Sequence, residues 1–156
     1  MSGCSLALDF SDQAIPIDAA LDAPFAEAEC AYGEPNDTAA MASPLAPADR
    51  GPAAICSVDD RDFYRITVPE LTAQVELRIG FTHSETGDLD LRLTRKTGET
   101  LAQSVGFSDG EAIVCPGTAP PCAMLAADDY VLEVFPGPDA TNRYTIEVVV
   151  TPVTAR

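Results

Sequence analysis

Asp62-Phe63-Tyr64-Arg65-Ile66-Thr67-Val68 is the stretch on which the fold turns. Tyr64, Ile66 and Val68 alternate with Phe63, Arg65 and Thr67. That period of two gives an extended segment one dry face and one wet face. After the turn signal Pro69-Glu70 the alternation resumes, with Val75, Leu77, Ile79 and Phe81 set against Gln74, Glu76, Arg78 and Gly80. It returns in Leu89-Leu91-Leu93, in Tyr130-Leu132-Val134 and in Tyr144-Ile146-Val148-Val150. Turn chemistry separates the runs: Glu85-Thr86-Gly87, Thr97-Gly98, Ser108-Asp109-Gly110 and Pro136-Gly137-Pro138-Asp139. Many short strands without a convincing amphipathic helix predict an all-β protein, an antiparallel, jelly-roll-like β-sandwich.

Upstream the pattern weakens. Residues 30–152 are read as the sandwich domain and residues 1–29 as an acidic N-terminal extension or linker. Within the extension, Leu6 to Phe10 could add an edge strand, and Asp18 to Ala28 could be a short helical piece or plain linker. Ala39 to Pro52, rich in Ala and Pro, reads as a loop spanning the sandwich with one helical turn. A protein of 156 residues can bury a core without needing metal or disulfides merely to fold.

The formal net charge is −16, and no Lys or Arg precedes Arg50. Nucleic acid and anionic membrane surfaces both ask for a basic face, so this balance excludes them as expected partners. It suits a protein that stays soluble, meets cations or works in salt.

Two clusters of hard oxygen donors stand at the entrance to apolar sequence: Glu34-Pro35-Asn36-Asp37-Thr38 and Asp59-Asp60-Arg61-Asp62. Calcium takes about six to eight oxygens from carboxylates, side-chain amides and backbone carbonyls. From Asp60 there is neither the sixth-position glycine nor the twelfth-position glutamate of an EF-hand loop, so a site here must be assembled by the fold. Taken alone, the same residues also read as turn chemistry and a solvated strand entry.

Glu34-Pro-Asn-Asp-Thr, an alanine-rich stretch, Asp60 to Val68 and then Gly87-Asp-Leu-Asp-Leu-Arg-Leu93 occur here in an order that resembles the bacterial pre-peptidase C-terminal domain. The strands Tyr130 to Val134 and Tyr144 to Val148 complete a resemblance covering roughly Cys30 to Val150. That family is similar to the collagen-binding domains of bacterial collagenases. The resemblance implies a small β-sandwich attached to secreted proteins, with calcium near the Glu-x-Asn-Asp motif. Carried over residue by residue, it makes Glu34, Asn36, Asp37 and one or more of Asp59, Asp60 and Asp62 the ligands. The sequence departs from the pattern at Tyr32, where the collagen-binding relatives place an acid, and at Asp128-Asp129, where the family usually has a glycine. A site with fewer charges binds calcium more weakly. Collagen recognition is not carried over.

Five cysteines leave one over in any fully paired scheme. Cys115-Pro-Gly-Thr-Ala-Pro-Pro-Cys122 has the length and turn chemistry of a loop clipped by its own disulfide. Cys30 precedes the Glu34 motif and Cys56 the Asp59 motif, so convergence of both motifs on one ion would bring these two sulfurs together. Zinc fits poorly, because no Cys-x-x-Cys occurs and His83 is the only histidine. Disulfides imply periplasm, cell surface or medium. Cys4 is then the odd one, and Ser2-Gly3-Cys4-Ser5 matches the end of a bacterial lipoprotein signal, in which the cysteine is lipidated. A lipid on Cys4 would be the protein's one route to a membrane.

Catalysis finds little support. His83 lies beside a turn, where a lone histidine is usually solvated, and no spacing selects one acid pair for hydrolysis. Asp88 and Asp90 are expected to point outward at a strand start, fixing a turn or meeting solvent. Phe63 and Phe135 fall on the face away from the core and are expected to be covered by the extension. The expectation is a non-catalytic, exported, calcium-binding accessory or surface-interaction domain, facing an extracellular protein or polysaccharide. The alternatives are a small secreted hydrolase or protease inhibitor, which would use a pocket or the rigid loop Cys115 to Cys122, and a metal-free structural spacer.

Overall fold

The structure is a computed structural model that describes residues 30–47, 51–82 and 87–154. The extension 1–29 with Cys4, and the turn carrying His83, lie outside the described residues.

Eleven strands follow one 3-10 turn at Ala39–Met41 among the described residues. They are β1 (Ser43–Pro44), β2 (Pro52–Ile55), β3 (Asp62–Val68), β4 (Thr72–Gly80), β5 (Leu89–Arg95) and β6 (Thr100–Ser104). After them come β7 (Gly110–Cys115), β8 (Gly117–Thr118), β9 (Pro121–Cys122), β10 (Asp128–Pro136) and β11 (Asn142–Pro152). One sheet runs β1-β3-β10-β5-β6 and the facing sheet runs β2-β11-β4-β7. In sequence order, β2, β4, β7 and β11 lie in one sheet and β3, β5, β6 and β10 in the other, with β5 and β6 the one consecutive pair kept together. This is jelly-roll connectivity. A single feature departs from the antiparallel expectation: β1 pairs parallel to β3, with Ser43 opposite Tyr64 and Pro44 opposite Arg65.

The alternation sets the core. Tyr64, Ile66 and Val68 of β3 share one cluster with Val75, Leu77 and Ile79 of β4 from the facing sheet, and Leu89, Leu91 and Leu93 of β5 are wholly buried between the sheets. Each such leucine contributes about 1.5–3 kcal/mol of burial free energy. Ala39 to Pro52 is not a plain loop. It holds the 3-10 turn, β1 and the first residue of β2, whose Ala53, Ala54 and Ile55 are buried. A run of alanines carries too little hydrophobic contrast to announce a strand.

Both disulfides are formed. Cys30–Cys56 has Cα atoms 6.0 Å apart, and Cys115–Cys122, with Cα atoms 5.0 Å apart, clips the small β8–β9 hairpin. On the outer face of the first sheet, Phe135 lies under two guanidinium groups, Arg92 at 4.8 Å and Arg61 at 5.7 Å from the ring centre. Both arginines pair with the buried carboxylate of Glu133, Arg92 at 2.8 Å. Within the described residues these two arginines cover the Phe135 ring, and the extension to which the sequence assigns the cover of Phe63 and Phe135 lies outside them.

Candidate metal centre

Two segments converge at the start of β3. The first leaves Cys30 and turns, the Glu34 N–H donating to the Ala31 carbonyl at 3.2 Å, and is fastened where the Phe63 N–H donates to the Asn36 carbonyl at 3.0 Å. The second leaves Cys56 and turns at Ser57, whose carbonyl accepts from the Asp60 N–H at 3.1 Å. The Cys56 N–H donates to Asp60 Oδ2 at 2.7 Å. The Cys30–Cys56 bond ties the two together.

In consequence Glu34, Asp37 and Asp60 each offer one carboxylate oxygen, and the three oxygens lie within 4.8 Å of one another. Oxygens about 2.3–2.6 Å from one calcium ion can lie no more than about 5 Å apart, so this grouping fits. Asn36 and Asp62 form the floor, with 0% and 2% of their surface exposed. The Asn36 N–H donates to Glu34 Oε2 at 2.6 Å. The Asn36 side-chain amide is oriented by the acids around it. With its NH2 toward the acids it donates to Asp62 Oδ1 at 3.1 Å and to Glu34 Oε1 and Oε2 at 3.1 and 3.0 Å.

The electrostatics agree. Burial pushes Asp62 up to about 7 against the hydrogen bond from Tyr144, and Asp60, Glu34 and Asp37 add their like charges. Glu34 is also raised, first by burial and then by Asp37 and Asp60, while the Asn36 N–H opposes. Behind the acids, the Tyr144 hydroxyl donates to Asp62 Oδ2 and lies 2.7 Å from the Tyr64 hydroxyl. Tyr64 also hydrogen-bonds Asn36, and both phenols are raised by burial and keep their protons.

Of the residues expected from sequence, Glu34, Asn36, Asp37, Asp60 and Asp62 come together, whereas Asp59 is exposed and outside the group. Sequence reasoning places Tyr64 and Tyr144 in the core and misses their contact with the acids. A signal for it exists, because the alternation that buries Tyr64 puts Asp62, two residues earlier, on the same dry face. Tyr32 packs half-buried against the core. Its ring lies so close over Gly51 that a Cβ there would fall 2.1 Å from it. At the other departure, Asp128 meets Lys96 Nζ at 2.7 Å, and Asp129 accepts from the Thr67 hydroxyl at 2.7 Å.

A second acidic group lies away from the first. Asp90 does not simply meet solvent: its Oδ1 is buried without a hydrogen-bond partner, as is Oε1 of Glu111, a residue 6% exposed. Burial pushes Asp90 up to about 6, with Asp88 and Glu111 adding to the rise and the Gly106 N–H and Arg92 opposing.

No family model matches the sequence. No curated protein matches it either. Among solved structures, the pre-peptidase C-terminal domain of collagenase from Bacillus anthracis superposes with a TM-score of 0.55 over 69% of this protein and 94% of that domain, at 11% identity. The fold is that of a pre-peptidase C-terminal domain. At this identity the likeness concerns the fold alone. The two disulfides fit an extracellular location.

Proposed function

We propose that the protein is a non-catalytic, exported accessory or surface-interaction domain that binds calcium through Glu34, Asp37 and Asp60, with Asn36 and Asp62 completing the oxygen set. The observation that carries this reading is the convergence of the three carboxylates within 4.8 Å above the buried Asn36 and Asp62. Four acids of like charge at one place repel, and burial raises the cost of Asp62 and Glu34. A divalent cation removes both penalties at once. The ion would fasten the segment before Thr38 to the entrance of β3, stabilising the folded form because the unfolded state offers no such site. A lipid on Cys4 and an extracellular protein or polysaccharide partner belong to the same reading of the whole protein.

Calorimetric titration of calcium into the purified, oxidised protein, repeated with Asp37→Asn and Asp60→Asn, tests the assignment. The expected result is binding by the parent that weakens at least tenfold in either variant. Unchanged affinity in both would remove these residues from the site.

A further inference from the structure

We propose that Asp90 and Glu111, with Asp88 beside them, form a second site for a hard divalent cation at the end of the sandwich where β5 and β7 begin. Glu111 occupies an unusual place. On β7 the inward positions are Glu111, Ile113 and Cys115, so the alternation that buries two apolar side chains also drives a carboxylate between the sheets. Its Oε2 accepts from the Ser104 hydroxyl at the end of β6. Its Oε1 is buried and accepts from nothing. The backbone of Gly106 closes over that oxygen so tightly that a Cβ at this glycine would lie 2.6 Å from it. Nearby, on β5, Asp90 has one hydrogen bond from the Gly106 N–H and a buried Oδ1 with no partner.

A buried carboxylate oxygen left without a donor loses its hydration and gets nothing back, and native structures rarely tolerate one. Here two occur at the same end of the sandwich, Glu111 at an inward position of β7 and Asp90 at a half-buried position of β5, with the Gly106 backbone against both. Arg92, the cation that acts on Asp90, is already committed to Glu133 at 2.8 Å and lies over Phe135. Hard oxygens, two of them orphaned and acidic, with a serine hydroxyl and a glycine backbone at their side, are the donor chemistry of calcium or magnesium. Magnesium sites often use only one or two carboxylates and keep several waters. Among the described residues the three-carboxylate grouping within one ion's reach is Glu34, Asp37 and Asp60. The second site therefore relies on two carboxylates, the hydroxyl and water, and binds its ion more weakly than the first.

The test counts ions. Equilibrium dialysis of the full, oxidised protein against radioactive calcium, with magnesium as competitor, should give two ions per molecule. Asp37→Asn should retain the weaker one, and Glu111→Gln the tighter one. Glu111→Gln removes a buried charge without removing volume, so it should fold, and Asp90→Asn provides an independent second variant. A parent that binds a single ion, lost in Asp37→Asn, overturns the proposal. So does a weaker ion that persists unchanged in both Glu111→Gln and Asp90→Asn. Failure of the first site alone would appear differently, as one ion kept in Asp37→Asn and lost in Glu111→Gln.

Discussion

Replacing Asp62 by asparagine should change how the calcium-free domain responds to pH. Asp62 is 2% exposed, and burial with its acidic neighbours moves its carboxyl from 3.8 to about 7. That difference corresponds to about 4 kcal/mol in favour of the protonated form, at about 1.4 kcal/mol per factor of ten. The folded protein holds this proton up to about 7 while the unfolded state gives it up at 3.8. The stability it contributes is complete below the lower value, erodes as pH rises and is gone above the upper one. Asp62→Asn has no proton to lose, and its amide oxygen can still accept from Tyr144. Urea unfolding of calcium-stripped protein between about pH 4.5 and 8 should therefore show the parent falling relative to the variant by about 3 kcal/mol, the rest having been lost below that window. Asp90, raised to about 6, and the raised Glu34 erode stability in the same direction in both proteins. The difference between the curves thus reports Asp62. Parallel curves for parent and variant would refute the reasoning.

Three further outcomes are expected. Cys30→Ser with Cys56→Ser opens a link between residues 26 apart in sequence. It should lower stability by about 3 kcal/mol in a melt and weaken calcium binding, because Glu34 and Asp60 are no longer held together. Glu133→Ala leaves Arg61 and Arg92 without their shared buried acceptor, but those side chains are 47% and 32% exposed and can recover water. The cost should be about 2 kcal/mol by urea denaturation, and a loss under about 0.5 kcal/mol would show the pair to be a surface decoration. Leu91→Ala, at a position 0% exposed between the sheets, should cost about 3 kcal/mol with no effect on calcium affinity.

Strands with a strong contrast between faces are legible in the sequence, and weak ones are not. Tyr64-Ile66-Val68 and Val75-Leu77-Ile79 place their faces as the alternation requires, and so do Leu89-Leu91-Leu93 and Tyr144-Ile146-Val148. β2 escapes notice because Ala53 and Ala54 bury little area, although both are inside. β7 escapes because its first inward residue is Glu111, a carboxylate where the pattern calls for a hydrophobe. The division of strands between two sheets rests on long-range pairings, such as Val134 with Asp62 and Val148 with Leu77. No local spacing encodes these.

The site divides along the same line. Turn chemistry at Asn36 and Asp60 and the two cysteines beside them are local signals, and the structure brings these segments together. Which of the adjacent acids points inward depends on the turn that Asp60 makes back to Cys56. The Tyr64–Tyr144–Asp62 contact joins residues 80 and 82 positions apart. Glu133 is similar, since its partners are 72 and 41 residues away. Such contacts become readable only once the sheets are assembled.

Whether a cation belongs among Glu34, Asn36, Asp37, Asp60 and Asp62 is decided by a thermal melt of the oxidised domain at about pH 8, above the value of about 7 to which Asp62 is raised. The melt is run first in excess chelator and then in millimolar calcium, with magnesium as control. At calcium about a hundredfold above the dissociation constant, selective binding to the folded form adds about 2.7 kcal/mol. For a domain of this size that raises the midpoint by roughly 8 °C or more. That rise is expected with calcium, and a much smaller one with magnesium. Coincident melts in chelator and calcium would contradict the proposed site and leave the acids as turn chemistry on a metal-free sandwich.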